Sequence, residues 1–65
     1  MRVVLNGEAT SVEAATLEQL CADLGLDGPR VATAVNGDFV PRDARAATAL
    51  KEGDTIEVVA PMQGG

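Results

Sequence analysis

Short runs rich in β-branched residues alternate along the chain with turn signals. Five such runs predict β-strands, at Arg2–Leu5, Glu8–Val12, Val31–Val35, Phe39–Val40 and Thr55–Ala60. An Asn-Gly pair follows the first run and another follows the third, and both residue types tolerate the positive φ that a two-residue type I′ turn requires. We therefore predict two β-hairpins and a single last strand. The second strand is the most polar of the five, which favours an edge position in the sheet.

The pattern between the two hairpins is helical. Four residues at the spacing i, i+3, i+4 and i+7 form one apolar stripe: Leu17, Leu20, Cys21 and Leu24. Thr16 and Gln19 match a capping box at the start of a helix, and Gly25 suits the left-handed residue that ends one. We therefore predict a helix over Thr16–Leu24. Cys21 is interpreted as a buried core thiol, with a redox or sulfur-accepting role as the alternative.

The last strand carries apolar residues on both of its faces, with Ile56 and Val58 on one and Val59 on the other. This pattern predicts a central strand, with the first strand beside it. A mixed five-stranded sheet packed on one helix is an α+β fold. Residues 42–50 are Ala-rich and predict irregular backbone with at most one helical turn. We expect a domain over residues 1–60 and an extended tail over residues 61–65.

Composition and charge restrict the function. The 65 residues include 10 acidic and 5 basic side chains, with a formal net charge of -5. Nucleic acid and anionic membranes are therefore unfavourable partners, because both require clustered Lys and Arg. The absence of histidine and the single cysteine exclude His-based catalysis, His metal sites and an intrachain disulfide. No signal peptide or membrane span is visible in the sequence, so we expect a soluble, cytoplasmic protein.

The acidic side chains do not form a recognisable catalytic pair. Six of them fall in predicted turns and edges and are interpreted as solubility and turn residues: Glu8, Glu13, Asp38, Asp43, Glu52 and Asp54. No two are placed by the sequence pattern for general acid-base work.

The last five residues are Pro61, Met62, Gln63, Gly64 and Gly65. An extended tail of five or six residues reaches roughly 15–20 Å at about 3.3 Å per residue, far enough to enter a site in another protein. Terminal glycines fit a narrow channel and leave the carboxylate open to attack. An ATP-dependent enzyme can activate such a carboxylate as an acyl-adenylate, and sulfur transfer then gives a thiocarboxylate. The residues by themselves leave a functional tail and an idle tail equally open.

Five segments carry a resemblance to a known family: Val4–Glu8, Thr16–Leu20, Ala34–Arg42, Leu50–Asp54 and Met62–Gly65. The most specific is the Val-Asn-Gly-x-x-Val-Pro-Arg pattern of residues 35–42, joined to a later Gly-Asp pair and to the terminal Gly-Gly. On these motifs the whole chain resembles the ThiS family, the small ubiquitin-like sulfur carriers of thiamin biosynthesis. The resemblance implies a β-grasp fold with a flexible C-terminal tail.

The same resemblance implies roles for the tail and for its partners. Gly65 carries the carboxylate that is adenylated and becomes the thiocarboxylate, while Gly64, Gln63 and Met62 enter the partners' active sites. A ThiF-type adenylating enzyme uses MgATP, a cysteine desulfurase or another donor supplies sulfur, and the thiazole synthase ThiG accepts it. The chain is then a carrier and not an enzyme, with no bound cofactor or metal of its own.

Two residues outside the tail are candidates for a partner surface. Phe39, the one aromatic residue, is either a core residue or part of such a surface, and Arg42 either contacts an acidic partner or is solvated. We expect the open face of the sheet to dock on a partner and the tail to add to it as an extended strand. Alternatives are a carrier for molybdopterin, tRNA thiolation or cysteine synthesis, a ubiquitin-like modifier of lysines, and a passive β-grasp module.

Overall fold

The computed structural model describes residues 1–26 and 28–61. The elements in chain order are β1 (Arg2–Leu5), β2 (Glu8–Ser11), α1 (Leu17–Asp23), β3 (Ala32–Val35), β4 (Asp38–Val40), a 3₁₀ helix (Arg42–Ala47) and β5 (Thr55–Val59). Each predicted strand is present, and its bounds differ from the prediction by no more than one residue. The predicted tail lies outside the described residues except for its first residue, Pro61, so the boundary between domain and tail stays a prediction.

The five strands form one mixed sheet with the order β2-β1-β5-β3-β4. β1 and β5 run parallel, with Val4 opposite Thr55, and the other neighbouring pairs are antiparallel. The predictions of a central β5, of β1 beside it and of β2 at an edge are confirmed. β5 is the last strand that the structure describes, and the residues of the predicted tail follow it in the sequence.

Both hairpin turns have the predicted geometry. Asn6 and Asn36 have φ angles of 50° and 53°, and the glycines that follow them have φ angles of 85° and 86°. Two consecutive left-handed residues are the signature of a type I′ turn, whose twist matches that of the flanking strands. The Asn-Gly pairs therefore fix the connections β1–β2 and β3–β4 locally.

Helix α1 begins and ends as its sequence predicts. The Thr16 side chain accepts a hydrogen bond from the Gln19 backbone N–H at 3.2 Å, and Gln19 Oε1 accepts from the backbone N–H of Ala15 at 3.1 Å. At the other end, Gly25 has a φ of 72°, and the Leu26 N–H donates to the Cys21 carbonyl at 2.8 Å. These bonds form a Schellman ending, which satisfies carbonyls that the last turn would leave unpaired.

The core lies between α1 and one face of the sheet. Its members are apolar side chains from every layer: Val3, Val12, Ala14, Leu17, Leu20, Cys21, Val31, Val40, Leu50, Ile56 and Val58. The prediction that Cys21 is a core thiol is confirmed. On the other face of β5, Thr55, Glu57 and Val59 are exposed. A single helix covers one face of a sheet, so the other face stays open to solvent.

The segment after β4 is more ordered than predicted. It forms a six-residue 3₁₀ helix, and its Arg45 is only 3% exposed. Arg45 Nε donates to Thr33 Oγ1 at 3.1 Å, and Arg45 Nη2 donates to the Val31 carbonyl. Thr33 Oγ1 in turn donates to the Val40 carbonyl at 2.7 Å. This chain of bonds attaches the 3₁₀ helix to β3 and β4 through the interior.

Asp54 corrects the prediction that its carboxylate is an exposed solubility residue. The residue is 8% exposed, and its two carboxylate oxygens accept from Asn36 Nδ2 at 3.0 Å and from the Lys51 backbone N–H at 2.8 Å. The Asn36 amide, followed by the Lys51 backbone, lowers the pKa of Asp54, although burial acts in the opposite direction. The turn role predicted for Asp54 is correct, but the residue also joins the β3–β4 turn to the start of β5.

These bonds predict an acid-sensitive contribution to stability. The pKa of Asp54 is lower in the folded chain than in the unfolded chain, so its contribution is complete above about pH 4 and disappears as the pH falls through the folded-state value. We expect Asp54→Asn to lower the free energy of unfolding by about 1 kcal/mol at pH 7. The difference from the wild type should shrink at pH 2–3 in urea titrations.

The matched control for this prediction is Asp38→Asn, which removes the same charge from an exposed carboxylate. It should leave the free energy of unfolding within about 0.5 kcal/mol of the wild type. An Asp54→Asn difference that stays constant from pH 7 to pH 2 would contradict the assigned role of the carboxylate.

Candidate functional site

The end of β5 is held by a side chain from the first hairpin turn. Asn6 Nδ2 donates to the Val58 carbonyl at 3.0 Å, and Asn6 Oδ1 accepts from the Val58 backbone N–H at 2.9 Å. The Asn6 amide thus takes the place of a backbone peptide and extends the parallel ladder beyond the last residue of β1. On the edge that faces β1, the backbone of β5 is therefore hydrogen-bonded as far as Val58, one residue before the strand ends.

The second turn asparagine makes the corresponding contacts at the other end of β5. Asn36 Oδ1 accepts from the Thr55 backbone N–H at 2.9 Å, and the Asn36 backbone N–H donates to the Thr55 carbonyl at 2.7 Å. The two asparagines therefore hold the strand that carries the tail at both ends. Sequence reasoning explained these asparagines by their positive φ and missed their side-chain bonds, for which an Asn at the first turn position is the only signal.

A cavity of about 580 Å³ lies beside the exit of β5. Its walls are the loop after α1, including Leu26, Arg30 and Val31, and the residues Ala60 and Pro61 that follow β5. The chain therefore leaves the sheet next to a concave surface and not over a flat one. This places the start of the tail at one end of the central strand, with the loop after α1 as its neighbour.

The open face of the sheet carries an apolar patch, which we call the open-face patch: Ala32, Ala34, Phe39 and Val59. Phe39 is 70% exposed and Val59 is 57% exposed. A groove of about 230 Å³ runs between these two side chains, over the smaller alanines. Exposed large apolar groups that cluster in this way are typical of protein-binding surfaces.

The structure separates the two candidate surface residues. Phe39 lies on the open face, so the interpretation of Phe39 as a core residue is wrong. Arg42 is exposed on the opposite side, where it lines a cavity of about 220 Å³ together with α1 residues and Arg45. The predicted tail residues Met62, Gln63, Gly64 and Gly65 lie outside the described residues, and their roles stay predictions.

Two kinds of feature are absent from the part of the chain that the structure describes: a cluster of metal-ligating side chains and a membrane-spanning helix. Among residues 1–26 and 28–61, no three Asp, Glu, Cys or His side chains are grouped as they would be around a metal ion. The same residues contain no helix with the length and apolar character that a membrane span requires.

The topology and the placement of the patch define a class of protein. A mixed sheet of this strand order on one helix is the β-grasp fold of ubiquitin-like proteins, and two solved structures share it. One is the crystal structure of a thiamine biosynthesis protein (ThiS) from Geobacter metallireducens, with a TM-score of 0.81, 30% identity and 100% of both chains covered. The other is the NMR structure of a thiamine biosynthesis protein from the same organism, with a TM-score of 0.83, 30% identity, and coverage of 100% of this chain and 88% of that one.

Sequence comparison identifies the family within this class. The ThiS family model matches residues 3–65, and the chain belongs to the ThiS family. The Thermus thermophilus sulfur carrier protein ThiS is 36% identical over 63 residues, which cover 97% of this chain and 98% of that protein. Thiazole synthases from Paramagnetospirillum magneticum and Magnetococcus marinus are 39% and 42% identical over 66 residues, and this chain spans only 20% of their length.

Proposed function

We propose that this chain is a sulfur carrier whose Gly65 carboxylate is adenylated and then converted to a thiocarboxylate that supplies sulfur for the thiazole ring of thiamin. The observation that carries the proposal is the full-length similarity to a sulfur carrier protein ThiS, combined with the Gly64–Gly65 pair that follows β5 in the sequence. The proposal requires Gly65 to be the last residue of the working protein. In this proposal, the side chains of Asn6 and Asn36 hold the strand that precedes the tail, and the partner enzymes carry out the catalysis.

The chemistry takes place in two balanced steps. A carboxylate oxygen of Gly65 attacks the α-phosphate of MgATP, which forms the acyl-adenylate and releases pyrophosphate. A sulfide sulfur then attacks the activated carbonyl, a C–S bond forms, the bond between the carbonyl carbon and the phosphate oxygen breaks, and AMP leaves. When a cysteine desulfurase supplies the sulfur as a persulfide, a thiol first releases it as sulfide and forms a disulfide with the desulfurase cysteine. Adenylation is needed because a free carboxylate is a poor electrophile, whereas AMP is a good leaving group.

The partners follow from these steps. A ThiF-type enzyme binds the MgATP, a cysteine desulfurase or another donor supplies the sulfur, and a thiazole synthase of the ThiG type accepts it. The similarity of this whole chain to a fifth of two thiazole synthases supports the last assignment over molybdopterin, tRNA or cysteine pathways. We propose that the open-face patch docks on the adenylating enzyme while the tail extends into its active site.

The test is intact-mass spectrometry after incubation with a purified ThiF-type enzyme, MgATP and a sulfur donor. The expected product has the mass increase for exchange of one oxygen for sulfur, and it should lose that sulfur when thiazole synthase and its substrates are added. An unchanged mass would contradict the proposal. Lysine-linked adducts in cell extracts would instead favour a ubiquitin-like modifier.

Phe39 provides a prediction about docking. We expect Phe39→Ser to raise the KM of the adenylating enzyme for this chain by about tenfold or more, because exposed aromatic side chains dominate such interfaces. The free energy of unfolding should change by no more than about 0.5 kcal/mol, since the ring lies outside the core. Steady-state kinetics and urea titration measure the two quantities.

Leu24→Ser is the control, because it removes a 40% exposed apolar side chain from the helix side of the molecule. Its KM should stay within about twofold of the wild-type value. Equal KM values for the Phe39 and Leu24 variants would place the docking surface elsewhere.

A further inference from the structure

Glu57 occupies the middle of the open face. It lies in the central strand β5, directly opposite Ala34 of β3, and Ala34 is itself opposite Phe39 of β4. These residues therefore form one row across three strands, which we call the Phe39–Ala34–Glu57 row. Adjacent strands are about 4.8 Å apart, so the backbones of the outer two members are separated by about 10 Å.

Charge is scarce on this face. The outward positions of the five strands, by their register, are Arg2, Val4, Ala9, Ser11, Ala32, Ala34, Phe39, Thr55, Glu57 and Val59. Glu57 is the one acid among them and Arg2 is the one base. The register Val4–Thr55 places Arg2 four residues from Glu57 along the strands, or about 13 Å. Within residues 1–26 and 28–61, the Glu57 carboxylate makes no hydrogen bond or ion pair.

Two residues of the row, Ala34 and Glu57, are unfavourable choices for a β-strand. Glu and Ala are both depleted in β-strands, and a central strand usually carries β-branched or aromatic residues. The Glu57 carboxylate does not cover the neighbouring apolar side chains, so Phe39 and Val59 stay exposed to solvent. Local choices that conflict with the fold are expected at functional positions, where another requirement determines the residue.

The shape of the row fits one kind of side chain. The alanine methyl groups form the floor of the groove of about 230 Å³, the Phe39 ring stands on one side, and the Glu57 carboxylate stands on the other. A guanidinium group is planar, stacks on aromatic rings, and pairs with a carboxylate through two parallel hydrogen bonds. A lysine ammonium can pair with the carboxylate but cannot stack in the same way.

We propose that the Phe39–Ala34–Glu57 row is a receptor for an arginine side chain of the adenylating partner. The aliphatic stem of the arginine lies over Ala34, and its guanidinium lies between the ring and the carboxylate. The net charge of -5 on this chain favours the approach of a basic partner surface. This inference rests on the proposed function only for the identity of the partner.

The first experiment needs no partner enzyme. The chain is titrated with N-acetyl-arginine amide and followed by NMR, with N-acetyl-glutamine amide as the neutral probe. Wild-type shifts should concentrate on the Phe39 ring and the amides of β3, β4 and β5, and Glu57→Gln should weaken the binding at least about fivefold. Equal binding to Glu57→Gln, or shifts spread evenly over the chain, would overturn the proposal.

The second experiment uses the adenylating enzyme. Glu57→Gln should raise the KM for this chain by about tenfold with little change in kcat, and the rise should diminish at high salt. The control is Glu8→Gln, which removes the same charge from an exposed position on edge strand β2 and should change KM by less than about twofold. Identical KM values for the two variants would overturn the proposal.

The two experiments separate this inference from the proposed function. If the wild type is never charged with sulfur, the proposed function fails, whereas the probe titration still decides whether the row binds arginine. A second copy of the chain is another possible occupant. A dimer in sedimentation that Phe39→Ser abolishes would show that the row is covered by the chain itself, and it would overturn the proposal.

Discussion

Removal of Gly65 is expected to abolish sulfur loading of the chain while its folded domain remains intact. Deletion moves the terminal carboxylate back by one residue, or about 3.5 Å, from the point where the adenylating enzyme holds ATP. Displacements of 1 Å from a reactive geometry already cost about a hundredfold in rate, so the loss should exceed that factor. The measurement is the rate of thiocarboxylate formation by intact-mass spectrometry.

Stability should not change, because the core side chains lie between residues 3 and 58. Two further variants define the requirement at the end of the chain. One added glycine moves the carboxylate forward by the same distance and should also abolish loading. Gly65→Ala keeps the carboxylate in place but adds a Cβ, so it should reduce loading less than the deletion does. Loading of the deletion variant at the wild-type rate would refute the proposed reactive group.

Replacement of Arg45 by Met should produce the largest loss of stability among the substitutions considered. Methionine approximately fills the space but cannot donate to Thr33 Oγ1 or to the Val31 carbonyl. The buried Val31 carbonyl is then left without the donor that Arg45 supplies, and each buried polar group left unsatisfied lowers the free energy of unfolding by about 1–3 kcal/mol. We expect a decrease of about 2 kcal/mol in the free energy of unfolding. A chain of this length has roughly 3–10 kcal/mol in total, so the decrease is a large fraction.

Arg42→Met is the matched control, because it removes an exposed arginine from the same 3₁₀ helix. It should leave stability within about 0.5 kcal/mol of the wild type. Arg45→Lys keeps the charge but loses the planar set of guanidinium N–H donors, so its free energy of unfolding should lie between those of Arg45→Met and the wild type. Urea titrations compare the three variants. An unchanged or increased stability of Arg45→Met would mean that relief of a buried charge outweighs the lost hydrogen bonds.

Local signals in the sequence predicted the elements well because each depends on a few neighbouring residues. An Asn-Gly pair fixes a type I′ turn through the two φ angles that these residues tolerate, and both turns were predicted correctly. Thr16 and Gly25 marked the cap and the left-handed end of α1 in the same way. These predictions do not require knowledge of distant residues.

Predictions that depended on distant residues were less successful. The apolar residues on both faces of β5 indicate a central strand, but they do not show which side chains of the open face gather into a patch. Asp54 and Arg45 were assigned no interior role, because a charged residue in a turn-rich or Ala-rich segment gives no sign of its partners. Their acceptors and donors lie 3 to 18 residues away in sequence.

Four features can be read from the amino-acid sequence alone: the order of strands and helix along the chain, the two turns, the family motifs and the glycines proposed as the reactive end. These features depend on the dihedral preferences of single residues and on short motifs, and neither requires contacts with distant residues. Three features depend on the folded chain: the exposure of Phe39, its place in one row with Glu57, and the position of Arg42 on the opposite side of the molecule. Strand register brings Phe39 and Glu57 into one row although they are 18 positions apart in sequence, and a linear pattern does not contain that register.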